Sequence, residues 1–312
     1  MTEMTPTIPG RGDLRISLTS ACNLRCSYCH NEGQEFPWAK EKLSPSLNNI
    51  HKMIILGVKH GAKQVKFTGG DPGVYPHIIK LLGCIKDWKD EFSGITRWGI
   101  ATNGVPFINP KKFDALVSSG LDNISIGIDS ISDFEYSKPS SPMGISGDSL
   151  IRNFVIPLKR NWDGEIKFDT VFIGNKIATS EVVDKARELS LYASVIEVYQ
   201  SNDVRSSFLE LIDETAERHH LEKRLYEFLN EWYLYDKNNN PIIKFYQDHC
   251  VGLDCGSCRK IHLRVVPNGN GFAAVPCFVK ARTKTIPITD NLDEAIAHNS
   301  MGPEWYKGTK YE

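Results

Sequence analysis

Long apolar runs are missing from this chain. No stretch reaches the roughly 18 consecutive apolar residues that a membrane-spanning helix needs. The opening segment MTEMTPTIPGRGD has neither an apolar core nor a small-residue cleavage site, so it does not read as a secretory signal. An excess of either charge is missing too. The 37 Lys and Arg against 38 Asp and Glu leave a formal net charge of −1, and no global basic field draws in nucleic acid or an anionic membrane. Internal repeats and low-complexity segments are absent. These absences predict a cytoplasmic protein with neither nucleic acid nor membrane among its partners.

Cysteine is nearly absent from the middle of the chain. Of the eight cysteines, three lie at Cys22, Cys26 and Cys29, four at Cys250, Cys255, Cys258 and Cys277, and only Cys84 between them. Disulfides are rare in a reducing compartment, so cysteines grouped at short spacings there point to metal binding or catalysis. Cys84 falls inside the helical pattern IIKLLGCIKDWK and reads as an inert core thiol.

What the chain does have is an alternation of two textures. Short β-branched runs (LRISLT, QVKFTG, TRWGIATN, NISIGID, EIKFDTVFIG, SVIEVYQ) are separated by segments of helical period. The first helix reads as 44–61, with Ser44 as N-cap, Pro45 in its first turn and Gly61 at its end. Six strands separated by helices predict a parallel α/β sheet with right-handed crossovers, either an open doubly wound sheet or a partial barrel. In both, loops at the C-terminal ends of the strands carry function. The cysteine loop follows the first strand, GGDP the second and TNG the third, so all three fall on one rim. The barrel unit is expected over 1–202 and an extension over 203–312. The extension reads as a long charged helical segment from 204 to 235, the turn DKNNNP, the second cysteine group, and a hairpin LRVVPNGNGFAAVPCF around an Asn/Gly turn.

Thiolates suit zinc, copper(I) and iron–sulfur clusters. Zinc usually closes with four ligands; here one loop offers three, as C-x3-C-x2-C, and His30 is a poor fourth because it directly follows Cys29. Three thiolates suit a four-iron cube with one iron left open. CNLRCSYC resembles the C-x3-C-x-aromatic-C motif of the radical S-adenosylmethionine (radical SAM) enzymes. The resemblance implies a partial (β/α)6 barrel, a catalytic [4Fe–4S] cluster on Cys22, Cys26 and Cys29, and S-adenosylmethionine on its open iron, cleaved to a 5′-deoxyadenosyl radical that abstracts hydrogen. It also implies cofactor-binding roles for Tyr28 near the adenine, for Gly69, Gly70, Asp71 and Pro72 of TGGDP near the methionine moiety, and for Thr102, Asn103, Ser125 and Asp129. Asp71 stands where the family more often has glutamate.

The pair Cys255–Cys258 precedes the first hairpin strand and Cys277 ends the second, so a hairpin brings them together. Four thiolates there would suit zinc. The layout is similar to the twitch-type extension of the GTP 3′,8-cyclase group in molybdenum-cofactor biosynthesis, which implies a second, auxiliary [4Fe–4S] cluster on Cys255, Cys258 and Cys277. Departures in the spacing of Arg259, Lys260 and Arg264, and in the tail GTKYE, imply a relative with another substrate. Cys250 is either a fourth ligand or a thiol that returns hydrogen to a substrate radical. The expected activity is epimerisation or dehydrogenation of a sugar-, aminoglycoside- or nucleotide-like small molecule, with flavodoxin or ferredoxin as reductant. The alternatives are peptide maturation, a cyclase-like rearrangement, and a non-enzymatic iron–sulfur or zinc sensor. The short N-terminus, without room for a leader-binding domain, counts against the peptide reading.

Overall fold

The computed structural model describes residues 12–29, 44–132, 145–198, 204–226, 230–248, 262–268, 271–275 and 286–288. Strands and helices alternate as β1 (Asp13–Ser17), α1 (Leu47–Lys59), β2 (Gln64–Thr68), α2 (Ile78–Glu91), β3 (Arg97–Thr102), α3 (Pro110–Val117) and β4 (Asn123–Gly127). There follow α4, β5 (Glu165–Phe172), α5 (Lys176–Glu188), β6 (Tyr192–Glu197) and α6 (Arg205–Arg218). Helix α4 runs through Gly147–Leu150, a π-helical segment Ile151–Val155, and Ile156–Asn161. Pro157 inside it has no N–H to give, and a widened turn accommodates that loss.

The described strands form one sheet, and it is an unclosed, partial (β/α)6 barrel extended at both ends. Eight strands run parallel in the order β10-β1-β2-β3-β4-β5-β6-β9, where β9 is Pro241–Tyr246 and β10 is His262–Asn268. Beyond β9 lie β8 (Glu231–Tyr235) and β7 (Glu222–Tyr226), each antiparallel to its neighbour. Beyond β10 lie β11 (Gly271–Ala274) and β12 (Ile286–Ile288), also antiparallel. The expected hairpin is β10–β11. Its first strand adds to β1, a pairing with no sequence signal.

Alternation within each strand decides the two faces. Leu14 and Ile16, Val65 and Phe67, Ile124 and Ile126, Ile166 and Phe168 are buried in one continuous core with α1 (Ile50, Ile54), α2 (Leu81, Ile85) and α4 (Phe154, Leu158). The intervening positions turn to the lumen, among them Arg15, Lys66, Ser125, Lys167 and Asp169.

Two local expectations are corrected. Helix α1 is capped by Ser46, whose Oγ accepts from Asn49 N at 3.2 Å, not by Ser44. Ser44 lies before the helix and donates to Thr19 Oγ1 at 3.1 Å. The long helix expected over 204–235 ends at Arg218. Leu221 N donates to Ala216 O and His220 N to Glu217 O, with His220 at φ 53°. This is a Schellman stop with histidine where glycine is usual, after which the chain turns into β7 and β8. His219 and His220 therefore sit at the helix end, where His219 contacts Asp184 at 2.9 Å. Cys84 is half-buried against the core rather than wholly within it.

Candidate active site

The loops after β1, β2 and β3 meet at the C-terminal rim through their backbones. Gly70 N donates to Thr19 O at 2.7 Å and Asp71 N to Ala21 O at 2.8 Å, so the chain after β2 runs against the chain that leads into the cysteine loop. The two glycines make this approach possible. Gly69 has φ 147°, and a Cβ at Gly70 would lie 2.1 Å from Ala21 O.

Asp71 is buried and its carboxylate is engaged by protein donors. It accepts from Gly73 N (2.7 Å), Thr102 Oγ1 (2.9 Å) and Asn103 N (2.7 Å). Burial raises its pKa to about 6, against the pull of those hydrogen bonds. Asp71 thus ties the β2 loop to the β3 loop. Pro72 opens a single 3₁₀ turn, which Asp71 caps.

Asn103 carries the connection onward. Its Nδ2 donates to Asn23 Oδ1 at 2.8 Å and lies 3.9 Å from Cys22 Sγ, while Leu24 N donates to the same sulfur at 3.3 Å. Asn23 had no signal in the motif reading; it sits directly after Cys22 and turns back onto the third loop. The fourth loop joins through Tyr28, whose hydroxyl donates to Asp129 Oδ2, while Val171 N holds Asp129 Oδ1 at 2.9 Å. Burial raises the pKa of Tyr28 and of Asp129 alike. Cys22, Cys26, Cys29, Tyr28, Asp71, Thr102, Asn103 and Asp129 are therefore gathered on one rim. Ser125 is not among them: it faces the lumen and accepts from Lys66 Nζ at 2.8 Å.

The rim fits an iron–sulfur cluster and a polar cofactor. Burial first, then Asp71, raises the pKa of Cys22, and burial with Asp129 pushes Cys26 to about 12. Thiols so placed ionise only against positive charge, which iron supplies. Among the described residues no three His, Cys, Asp or Glu side chains converge on a single ion, and in a cube each sulfur binds its own iron. Thr68 Oγ1, at the end of β2 beside Gly69, is buried and has no hydrogen-bond partner among the described residues.

Below the rim the lumen is cationic. Register aligns Arg264 with Arg15 and Arg15 with Lys66, three cations in a row on β10, β1 and β2. Lys167, level with Ser125 on β5, adds a fourth and lies 3.0 Å from Asp169. Like charges directly opposite on neighbouring strands are destabilising. Sequence reading singled out Arg264 alone. The missed signal is the polar alternation in LRIS, QVKFT and EIKFD, since parallel strands buried on both faces read as continuous apolar runs.

Comparison with known proteins agrees with this geometry. Residues 16–155 match the Radical SAM superfamily, so that stretch is a Radical SAM domain, and a [4Fe–4S] cluster and S-adenosylmethionine are the cofactors that go with it. Among curated proteins it is similar to the probable GTP 3′,8-cyclase of Thermococcus kodakarensis, 32% identical over 178 residues that are 54% of each chain. The GTP 3′,8-cyclase of Chlorobaculum tepidum is 36% identical over 118 residues, 38% of this chain and 33% of that one. The chain thus spans about half the length of these relatives, or less. Among solved structures, Streptococcus suis SuiB bound to S-adenosylmethionine has TM-score 0.65 at 15% identity, over 98% of this chain and 67% of that one. The enzyme anSMEcpe with bound AdoMet has TM-score 0.64 at 14% identity, over 92% and 82%. At these identities the likeness is one of fold. The second cysteine group, Cys250, Cys255, Cys258 and Cys277, lies outside the described residues, as do Arg259 and Lys260. Among the described residues no helix is long and apolar enough to cross a membrane.

Proposed function

We propose that this protein is a radical SAM enzyme that abstracts hydrogen from a small anionic molecule, a sugar or nucleotide bearing phosphate or carboxylate, held in the barrel lumen. The observation that carries this reading is the row Arg264–Arg15–Lys66. A row of three adjacent Arg and Lys residues suits a phosphate or carboxylate, to which such side chains make charge-assisted hydrogen bonds. When bound, the cluster and S-adenosylmethionine supply a 5′-deoxyadenosyl radical, which a one-electron reductant such as flavodoxin or ferredoxin makes possible. The chain's own part is placement. Cys22, Cys26 and Cys29 hold the cluster at the mouth, the 69–72 loop and Thr68 border the cofactor, and the cations fix one end of the substrate below it.

In this reading the extension carries a second [4Fe–4S] cluster on Cys255, Cys258 and Cys277. Cys250 completes it or returns hydrogen, giving dehydrogenation or epimerisation respectively. A second reading, rearrangement of a nucleotide, is favoured by the names of the curated relatives. The test is 5′-deoxyadenosine formation by anaerobically reconstituted protein with dithionite, with and without pools of nucleoside triphosphates, sugar phosphates and sugar acids. Stimulation by an anionic pool but not by its neutral counterparts supports the reading. Deuterium transfer from labelled substrate into 5′-deoxyadenosine then locates the abstracted hydrogen. Product analysis with Cys250→Ala separates epimerisation from the other outcomes. No cleavage of S-adenosylmethionine in any condition defeats the enzyme reading and leaves a sensor or scaffold.

A further inference from the structure

The β5–β6 wall of the lumen carries polar groups that the described protein leaves unsatisfied. Phe168, Ala193 and Val195 are buried in the core, so alternation turns Lys167 and Asp169 of β5, and Tyr192 and Ser194 of β6, to the lumen. Register sets Tyr192 level with Lys167 and Ser194 level with Asp169. Asp169 Oδ1 is buried, and among the described residues the close partner of this carboxylate is Lys167 Nζ at 3.0 Å. A carboxylate offers about four acceptor sites. The hydroxyls of Tyr192 and Ser194 have no hydrogen-bond partner among the described residues. Asp71, Asp129 and Glu231 differ. Asp71 accepts from Gly73 N, Thr102 Oγ1 and Asn103 N, Asp129 from Tyr28 and Val171 N, and Glu231 from Tyr233 and Lys244.

There is also room beside Asp169. Its register partner on β4 is Gly127, which is exposed. A Cβ on Gly127 would meet nothing nearer than Thr102 O at 3.9 Å. Burial opposes charge on Asp169, but Lys167 and then Lys66 outweigh it, and the carboxyl sits below its ordinary range. Burial first, then the nearby Tyr233 and Glu231, raises the Tyr192 phenol, which keeps its proton. The wall thus sets an ionised acceptor beside neutral hydroxyl donors.

We infer that Asp169, Tyr192 and Ser194 form a hydroxyl-binding wall that takes a vicinal diol of the substrate, as on a sugar ring. The inference rests on the reading above that a small molecule occupies the lumen, and it narrows that molecule to one with neighbouring hydroxyls. A hydroxyl both donates and accepts. One of the pair donates to Asp169 in a charge-assisted bond, and the other accepts from Tyr192 or Ser194. An ammonium would meet Lys167 and Lys66 as like charges, and a second anionic group would meet Asp169. The ribose of S-adenosylmethionine carries the same diol, but depth favours the substrate. Asp129, tied to Tyr28 of the rim, lies two residues beyond Gly127, whereas Tyr192 is level with Lys167 and Ser125, two residues below Asp169 and Gly127.

The test is equilibrium binding to the anaerobically reconstituted protein of ribose 5-phosphate, glucose 6-phosphate and their 2-deoxy and 3-deoxy counterparts. The expected result is that a parent sugar binds about tenfold or more tightly than a deoxy counterpart. In Asp169→Asn and Tyr192→Phe that ratio should fall to about threefold or less, with S-adenosylmethionine affinity unchanged. Equal binding of parent and deoxy forms by the native chain overturns the inference and leaves the anionic lumen standing. A ratio that survives in both variants overturns it as well, assigning the discrimination elsewhere. Weaker S-adenosylmethionine binding in the variants with the sugar ratio intact overturns it too, and gives the wall to the cofactor. Failure of every sugar phosphate to bind, while S-adenosylmethionine binds, overturns the anionic lumen along with it. The native-chain ratio stands even if a variant does not fold, and Ser194→Ala, which removes a single small hydroxyl, should lower it in the same direction.

Discussion

Asn103 is the residue that links the third loop to Cys22 and Asn23 in the first. Its side-chain N–H lies 3.9 Å from Cys22 Sγ and donates to Asn23 at 2.8 Å. Donors near a ligating sulfur stabilise the reduced cluster. Asn103→Ala is expected to move the midpoint potential of the reconstituted cluster to more negative values, on the order of tens of mV. Redox titration followed by electron paramagnetic resonance checks this, and an unchanged potential would leave Asn103 a loop tie alone. Gly70 sets a stricter limit. With a Cβ 2.1 Å from Ala21 O, Gly70→Ala must part the two loops. A loss of about 1–3 kcal/mol of stability is expected, together with weaker S-adenosylmethionine binding, read by denaturant melts and equilibrium dialysis. Gly69, Gly70, Asp71 and Asn103 were legible as a motif. Their division of labour was not, because Asp71 is engaged by donors that lie 31 and 32 positions away in sequence.

At the scale of elements, the joint between β6, α6 and β9 shows how the extension is held. Glu197, fully buried at the end of β6, accepts from Arg205 Nε at 2.6 Å and from Asp248 N at 2.7 Å. Arg205 also donates to Asp248 O at 2.9 Å. Removing one partner of a buried ion pair leaves an uncompensated charge and costs about 3–5 kcal/mol. Glu197→Leu is expected to lose about that much in equilibrium unfolding, and a near-neutral result would show that water reaches Arg205. The six strands and most helix positions could be read from period alone. The end of α6 could not, because His220 occupies the position that glycine normally marks, and the charge pairs of EKRLY suit a helix as well as an exposed hairpin strand.

At the scale of the whole molecule, the extension does not stand beside the barrel but prolongs its sheet, through β9 on β6 at one end and β10 on β1 at the other. Arg264 reaches the lumen only through the second of these pairings. If the extension also holds a cluster, anaerobic reconstitution should give about eight irons per chain, and the Cys22/Cys26/Cys29→Ala variant about four. Iron and sulfide assays decide it; a variant without iron would remove the auxiliary cluster and leave the radical domain.

By itself the sequence determined the alternation of strands and helices, the three unusual loops on one rim, and the thiol set whose chemistry calls for iron. These are local properties, carried by period, turn residues and ligand type within short windows. Only the tertiary structure decided that β10 lies against β1 and that Arg264, Arg15 and Lys66 share one level of the lumen. Strand partners and register depend on contacts between residues far apart in the chain, and no short window of sequence contains them.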